Sequence, residues 1–107
     1  MQRFGQIIHV KPEKEAYYRE LHKNAWKGVL DTITECNIRN YSIFLRDGFL
    51  FGYFEYIGDD FEADMKKMAE DPITQKWWAE CEPCQQPLDT AASGEWWVNM
   101  ESVFYYG

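Results

Sequence analysis

The runs Asn37-Ile38-Arg39-Asn40-Tyr41-Ser42-Ile43-Phe44-Leu45 and Phe49-Leu50-Phe51-Gly52-Tyr53-Phe54-Glu55-Tyr56 meet across Asp47-Gly48. Both are rich in β-branched and aromatic side chains, which suit a pleated, half-buried surface. Asp-Gly supplies the positive φ angles that a tight hairpin turn needs. Residues 37–45 and 49–56 therefore predict two paired antiparallel strands. The second is apolar on both faces, whereas an antiparallel strand with one wet face alternates. Helices cover only one face of such a sheet, and small soluble proteins rarely leave a broad apolar patch bare. A second copy on the other face, giving a two-fold dimer, is the expected solution. The competing arrangement buries that face under loops of the same chain.

Working outward, Phe4 to Val10 predicts a first strand, with Ile7, Ile8 and Val10 as its apolar content. Pro12 stands where a first helical residue often stands. A helical pattern then runs from Glu13 towards Thr34, with a break near Asn24 or Gly28. Gly58-Asp59-Asp60 opens a helix with Phe61, Met65 and Met68 on one stripe. Asp71-Pro72 starts a shorter helix carrying Trp77 and Trp78. Pro83 to Gly94 is loop, and Glu95 to Tyr106 closes as a fourth strand. Strand alternation would send Trp96 and Trp97 to opposite faces, one of them towards a subunit interface. The order strand, helix, strand, strand, helix, strand is the split βαβ arrangement. It predicts one α+β domain over 1–107, ferredoxin-like, with a four-stranded antiparallel sheet and helices on one face.

The 107 residues include 18 acidic and 11 basic side chains, for a net charge of −7. That balance argues against nucleic acid or an anionic membrane surface as partner and favours a neutral one. An aromatic share of 18% excludes a disordered linker. No apolar run approaches the roughly 18 residues of a membrane span. Three cysteines, Cys36, Cys81 and Cys84, form no disulfide framework. With no apolar leader after Met1, they point to the cytoplasm.

Tyr18, His22 and Trp26 lie at i, i+4 and i+8. Each step of four turns about 40° around a helix, so the three share a face. They fit a pocket wall, with Trp26 a candidate for part of it, and His22 is suited to proton transfer near neutral pH. The same stripe fits an ordinary core. Tyr41 shares a strand face with Ile43 and Leu45 and fits either a core position or the same pocket. Trp77 and Trp78 diverge by about 100°, so both cannot fill one core slot. One suits the core and the other a cavity, where an indole face offers a platform for the C–H face of a sugar. Cys81-Glu82-Pro83-Cys84 has redox spacing but follows a helix instead of opening one. No four-ligand zinc spacing is present, and the lone strand histidine His9 fits a structural place. Phosphate-cradling, dinucleotide-binding and nucleophile-elbow motifs are missing. Chemistry here should need only positioning and proton transfer, with no metal and no cofactor.

Along nearly its whole length the sequence resembles the L-rhamnose mutarotase family. The resemblance rests on Tyr18 to His22 with Trp26, on Cys36 to Ile43, and on Leu50 to Glu55. It continues through Asp71-Pro72 to Trp77-Trp78 and ends at Val103-Phe104-Tyr105. It implies a dimeric α+β barrel and cofactor-free interconversion of the α and β anomers of a neutral pyranose, typically L-rhamnose. The homodimer would form through the sheet face and C-terminal strand. By the resemblance, His22 matches a proton donor, Tyr18 and Tyr41 match sugar contacts, and Trp77 and Trp78 match a sugar-lining pair. The family's prolines near the histidine are absent from Lys23-Asn24-Ala25-Trp26-Lys27-Gly28. Two other functions fit the expected fold: a cofactor-free dimeric α+β barrel oxygenase, and a monosaccharide-binding protein without turnover.

Overall fold

The computed structural model describes residues 1–107. Its elements are β1 (Gln2–Val10), α1 (Glu15–Lys23), α2 (Lys27–Glu35), β2 (Ile38–Arg46) and β3 (Phe49–Tyr56). They continue with α3 (Phe61–Glu70), α4 (Pro72–Cys81), β4 (Gln85–Gln86) and β5 (Val98–Met100). Single 3₁₀ turns precede α1 and follow α4. The sheet order is β2-β3-β1-β4, with β5 also on β1, and every pairing is antiparallel.

The place expected for one fourth strand is shared by two short ones. Gln85–Gln86 pair with His9–Val10, and Val98–Met100 pair with Gly5–Ile7. The expected strand over Glu95–Tyr106 is thus reduced to three residues in a sheet of five strands. The register would carry Glu101, Ser102 and Val103 on against Phe4, Arg3 and Gln2, but the ladder ends at Met100. Beyond Met100 the tail leaves the sheet, with Val103 93% and Phe104 84% exposed, and the Arg3 guanidinium lies over the Tyr105 ring.

The expected helical stretch from Glu13 to Thr34 is two helices. The break falls at Asn24, whose side-chain amide donates to the Glu20 carbonyl and ends α1. Trp26 has extended dihedrals and starts α2. The Asp60 carboxylate caps α3 by accepting from the Ala63 N–H. Asp71 caps α4, accepting from both the backbone and the hydroxyl of Thr74, with Pro72 following it.

β3 alternates strictly in burial: Leu50, Gly52, Phe54 and Tyr56 are buried and face the helices. Phe49, Phe51, Tyr53 and Glu55 look the other way. That outer face carries no helix of this chain, and Phe44 beside it is 66% exposed. No helix is long and apolar enough to cross a membrane.

β2 carries a bulge between Arg39 and Ser42. Without it, Ile38 and Tyr41, three residues apart, would face opposite sides of the sheet. Asn40 has φ 51°, the left-handed region that asparagine tolerates, and its amide bonds Glu55. The bulge brings Tyr41 to the inner face, where its ring sits 5.5 Å from that of Phe54. Asn40→Val should lower the unfolding free energy by about 1–3 kcal/mol, because a β-branched residue resists this backbone conformation. Asn40→Gly should cost less, and urea denaturation of the two variants makes the comparison. Equal losses would show that the bulge does not depend on the left-handed residue.

Candidate active site

Two apolar clusters make the core. One joins Ile8, Val10, Tyr18, Val29, Leu50 and Trp77 with Cys81 and Cys84. The other holds Ile38, Phe54 and Tyr56. Where they meet lies a cavity of about 450 Å³, within the roughly 300–1,000 Å³ of small-molecule sites. Tyr18, His22, Tyr41, Trp77 and Trp78 all line it, although they come from α1, β2 and α4. Trp26 does not. Its ring stands edge-on behind Trp77, at 5.1 Å between centroids, because the break after α1 carries it off the Tyr18–His22 face.

Helix geometry sets the state of His22. Its Nδ1 lies 2.9 Å from the carbonyl oxygen of Tyr18, one turn earlier. A carbonyl only accepts, so Nδ1 carries the proton and donates, which leaves the Nε2 lone pair free. The imidazole stacks on the Tyr18 ring at 4.1 Å and meets the Trp77 ring edge-on at 5.1 Å. Burial under these rings pushes the His22 pKa below its ordinary 6.5, against the weaker opposing pull of the Tyr18 carbonyl. At neutral pH His22 is a neutral base.

The phenols are held un-ionised. Burial raises the Tyr18 pKa, and the hydrogen bond from Gln85 offsets part of the rise. Burial of its hydroxyl pushes Tyr41 up to about 12, even though 42% of the residue's surface is accessible. That combination suits a side chain on the wall of a cavity, with its hydroxyl deep and its ring partly open. Trp77 is only 7% exposed and serves core and cavity together, while Trp78 is half-buried.

Several cavity groups carry no periodic signal in the sequence. Gln85 lies in the segment expected to be loop, and its buried amide links the Tyr18 hydroxyl to the Trp96 indole. Trp96 and Trp97 both line the cavity and do not split across the sheet, because β5 begins only at Val98. Trp97 lies on the sheet floor over Gly52. A Cβ there would sit 3.3 Å from the indole, which would have to give by a few tenths of an ångström. The Tyr17 hydroxyl donates to Glu80 and ties α1 to α4. Cys81 and Cys84 are free and buried, and burial pushes the Cys81 thiol up to about 12.

The L-rhamnose mutarotase family pattern matches residues 3–106. The chain belongs to that family. It is 40% identical over 85 residues to the L-rhamnose mutarotase of Oceanobacillus iheyensis, covering 78% of this chain and 79% of that one. It is 31% identical over 107 residues to the Bacillus subtilis L-rhamnose mutarotase, covering 98% of each. In three dimensions it is similar to the L-rhamnose mutarotase of Formosa agariphila, with a TM-score of 0.78 over 100% of both chains at 21% identity. This family's α+β fold, with its curled antiparallel sheet and helices on one face, is the architecture described above.

An NMR titration of His22 should give a midpoint below 6.5, since burial disfavours the imidazolium. Its contribution to stability should be complete above pH 6.5 and be lost as pH falls through the lower folded midpoint. His22→Gln should flatten the dependence of unfolding free energy on pH in that window. A midpoint at or above 6.5 would contradict the neutral base.

Proposed function

We propose that this member of the L-rhamnose mutarotase family interconverts the α and β anomers of L-rhamnose by acid–base ring opening and reclosure, using no metal or organic cofactor. The observation that carries the reading is the pairing, inside one indole-walled cavity, of a histidine with a free Nε2 and two un-ionised phenols. In this reading Nε2 of His22 takes the proton of the anomeric hydroxyl. Tyr18 and Tyr41 orient the sugar hydroxyls, and one of them donates towards the ring oxygen. The C1–O5 bond breaks, C1 turns about its bond to C2, and the ring recloses on the other face. His22 then returns its proton to the new anomeric oxygen, which is the donor half of its role. Trp77 and Trp78 supply apolar faces for the sugar's C–H groups. A neutral sugar needs no cationic cradle, consistent with a net charge of −7.

We further infer that the working form is a homodimer, paired through the outer sheet face and the C-terminal stretch. Phe49, Phe51 and Tyr53 on that face, and Val103, Phe104 and Tyr106 on the tail, have no helix of this chain to cover them. Three free buried thiols fit a reducing cytoplasm.

Saturation-transfer NMR on L-rhamnose measures anomer exchange directly. His22→Ala should lower kcat/KM by about 10²–10⁴-fold. Trp78→Ala should act mainly on KM, whereas Trp77→Ala should also destabilise the fold by about 3–5 kcal/mol, as expected for a truncated core indole. Undiminished exchange with His22→Ala would refute the assignment. Sedimentation at micromolar concentration should give the mass of two chains, and a monomer would remove the dimer.

A further inference from the structure

Tyr18 has a partner that fixes the direction of its hydroxyl. The Trp96 indole Nε1 donates to Oε1 of Gln85 at 2.7 Å, and Nε2 of Gln85 lies 3.2 Å from the Tyr18 hydroxyl oxygen. An indole N–H donates only, so it demands the amide oxygen and turns the amide NH₂ towards Tyr18. The Tyr18 oxygen is therefore an acceptor in this contact, and its own proton must point elsewhere.

Gln85 has little freedom to reverse this. It is 5% exposed, pairs with Val10 in the β4–β1 ladder, and follows Cys84, whose carbonyl accepts from the Lys11 N–H at 2.7 Å. Trp96 lines the same cavity and precedes β5, which is also paired to β1. Both members of the relay thus hang from the strand at the centre of the floor. The amide makes no bond to His22, so the device acts on one of the two polar walls and leaves the other alone.

We propose that Gln85, oriented by Trp96, is a positioning residue that holds Tyr18 as a hydrogen-bond donor into the cavity and so makes Tyr18 the group that donates to the sugar's ring oxygen. This rests on the mutarotase reading above and assigns the acid within it. Tyr41, with no such relay, is left to orient a hydroxyl.

Gln85→Glu separates direction from shape. The carboxylate has the same outline and keeps an oxygen for the Trp96 N–H. Its second oxygen only accepts, so it draws the Tyr18 proton away from the cavity. Anomer exchange on L-rhamnose near pH 7.5 should fall at least about tenfold, mainly in kcat, the scale of losing one oriented donor. Tyr18→Phe should fall comparably, and the double variant no further than Tyr18→Phe alone. As pH drops, the introduced carboxylate takes up a proton and becomes an O–H donor, so the ratio of variant to wild-type rate should rise. His22, Cys81 and Glu82 line the cavity in both proteins. The introduced charge also favours the imidazolium of His22 in the same cavity, so the His22 midpoint is measured by NMR in both proteins and each rate is divided by its neutral-His22 fraction before the ratio is taken.

A substrate-free arm keeps the two readings apart. In protein carrying ¹³C-tyrosine, the Tyr18 Cζ resonance should move in Gln85→Glu while the Trp96 indole N–H signal stays hydrogen-bonded. A wild type that fails to accelerate exchange would overturn the mutarotase reading, and the resonances would still decide the relay. An unmoved Tyr18 resonance, or an equal Gln85→Glu loss in the Tyr18→Phe background, would overturn the relay.

Discussion

One contact inside α1 governs the chemistry available to the site: the Nδ1–H of His22 on the carbonyl of Tyr18. It follows from nothing more than helical spacing, which sets residues four apart one above the other. The same spacing stacks the two rings and points the remaining nitrogen away from the backbone. Because α1 ends one residue after His22, the pair sits at the last turn, where a second hollow lies between α1 and the β2–β3 hairpin. The Tyr17–Glu80 bond fastens this short helix to α4, the element that carries Trp77 and Trp78. His22 and the indole walls are thereby linked through a side-chain contact between the two helices as well as through their own rings.

The sheet contributes the floor through two inconspicuous residues. Asn40 accepts a left-handed backbone, and the resulting bulge sets Tyr41 among inward-facing side chains. Gly52 has no side chain where the Trp97 ring needs room. The cavity therefore owes its shape to one backbone reversal and one missing Cβ, and only afterwards to the aromatic rings that fill its walls.

Much of this was legible in residue order. The hairpin at Asp47-Gly48, the aspartate caps at Asp60 and Asp71, and the doubly apolar third strand follow from local rules with few competing solutions. The shared face of Tyr18 and His22 also follows from period alone. What was hidden depends on tertiary pairing. A two-residue strand such as Gln85–Gln86 has no period to detect, so the buried amide inside it reads as loop. The tail beyond Met100 has β-forming composition, yet it leaves the sheet while Gln2 to Phe4 of β1 still offer an edge, a departure that local propensity does not encode. Trp26 keeps its place in the helical spacing of the sequence and loses it in space, because Asn24 ends the helix two residues earlier.

The buried thiol of Cys81 carries a consequence of its own. An aldose that opens its ring spends a moment as a free aldehyde, an electrophile that amines trap as imines and thiolates trap as hemithioacetals. The cavity wall bears no lysine, and its cysteine is held in the un-ionised form, in which sulfur is a poor nucleophile. In the proposed reaction such a lining would tolerate the reactive carbonyl without capturing it, leaving the opened sugar to recyclise.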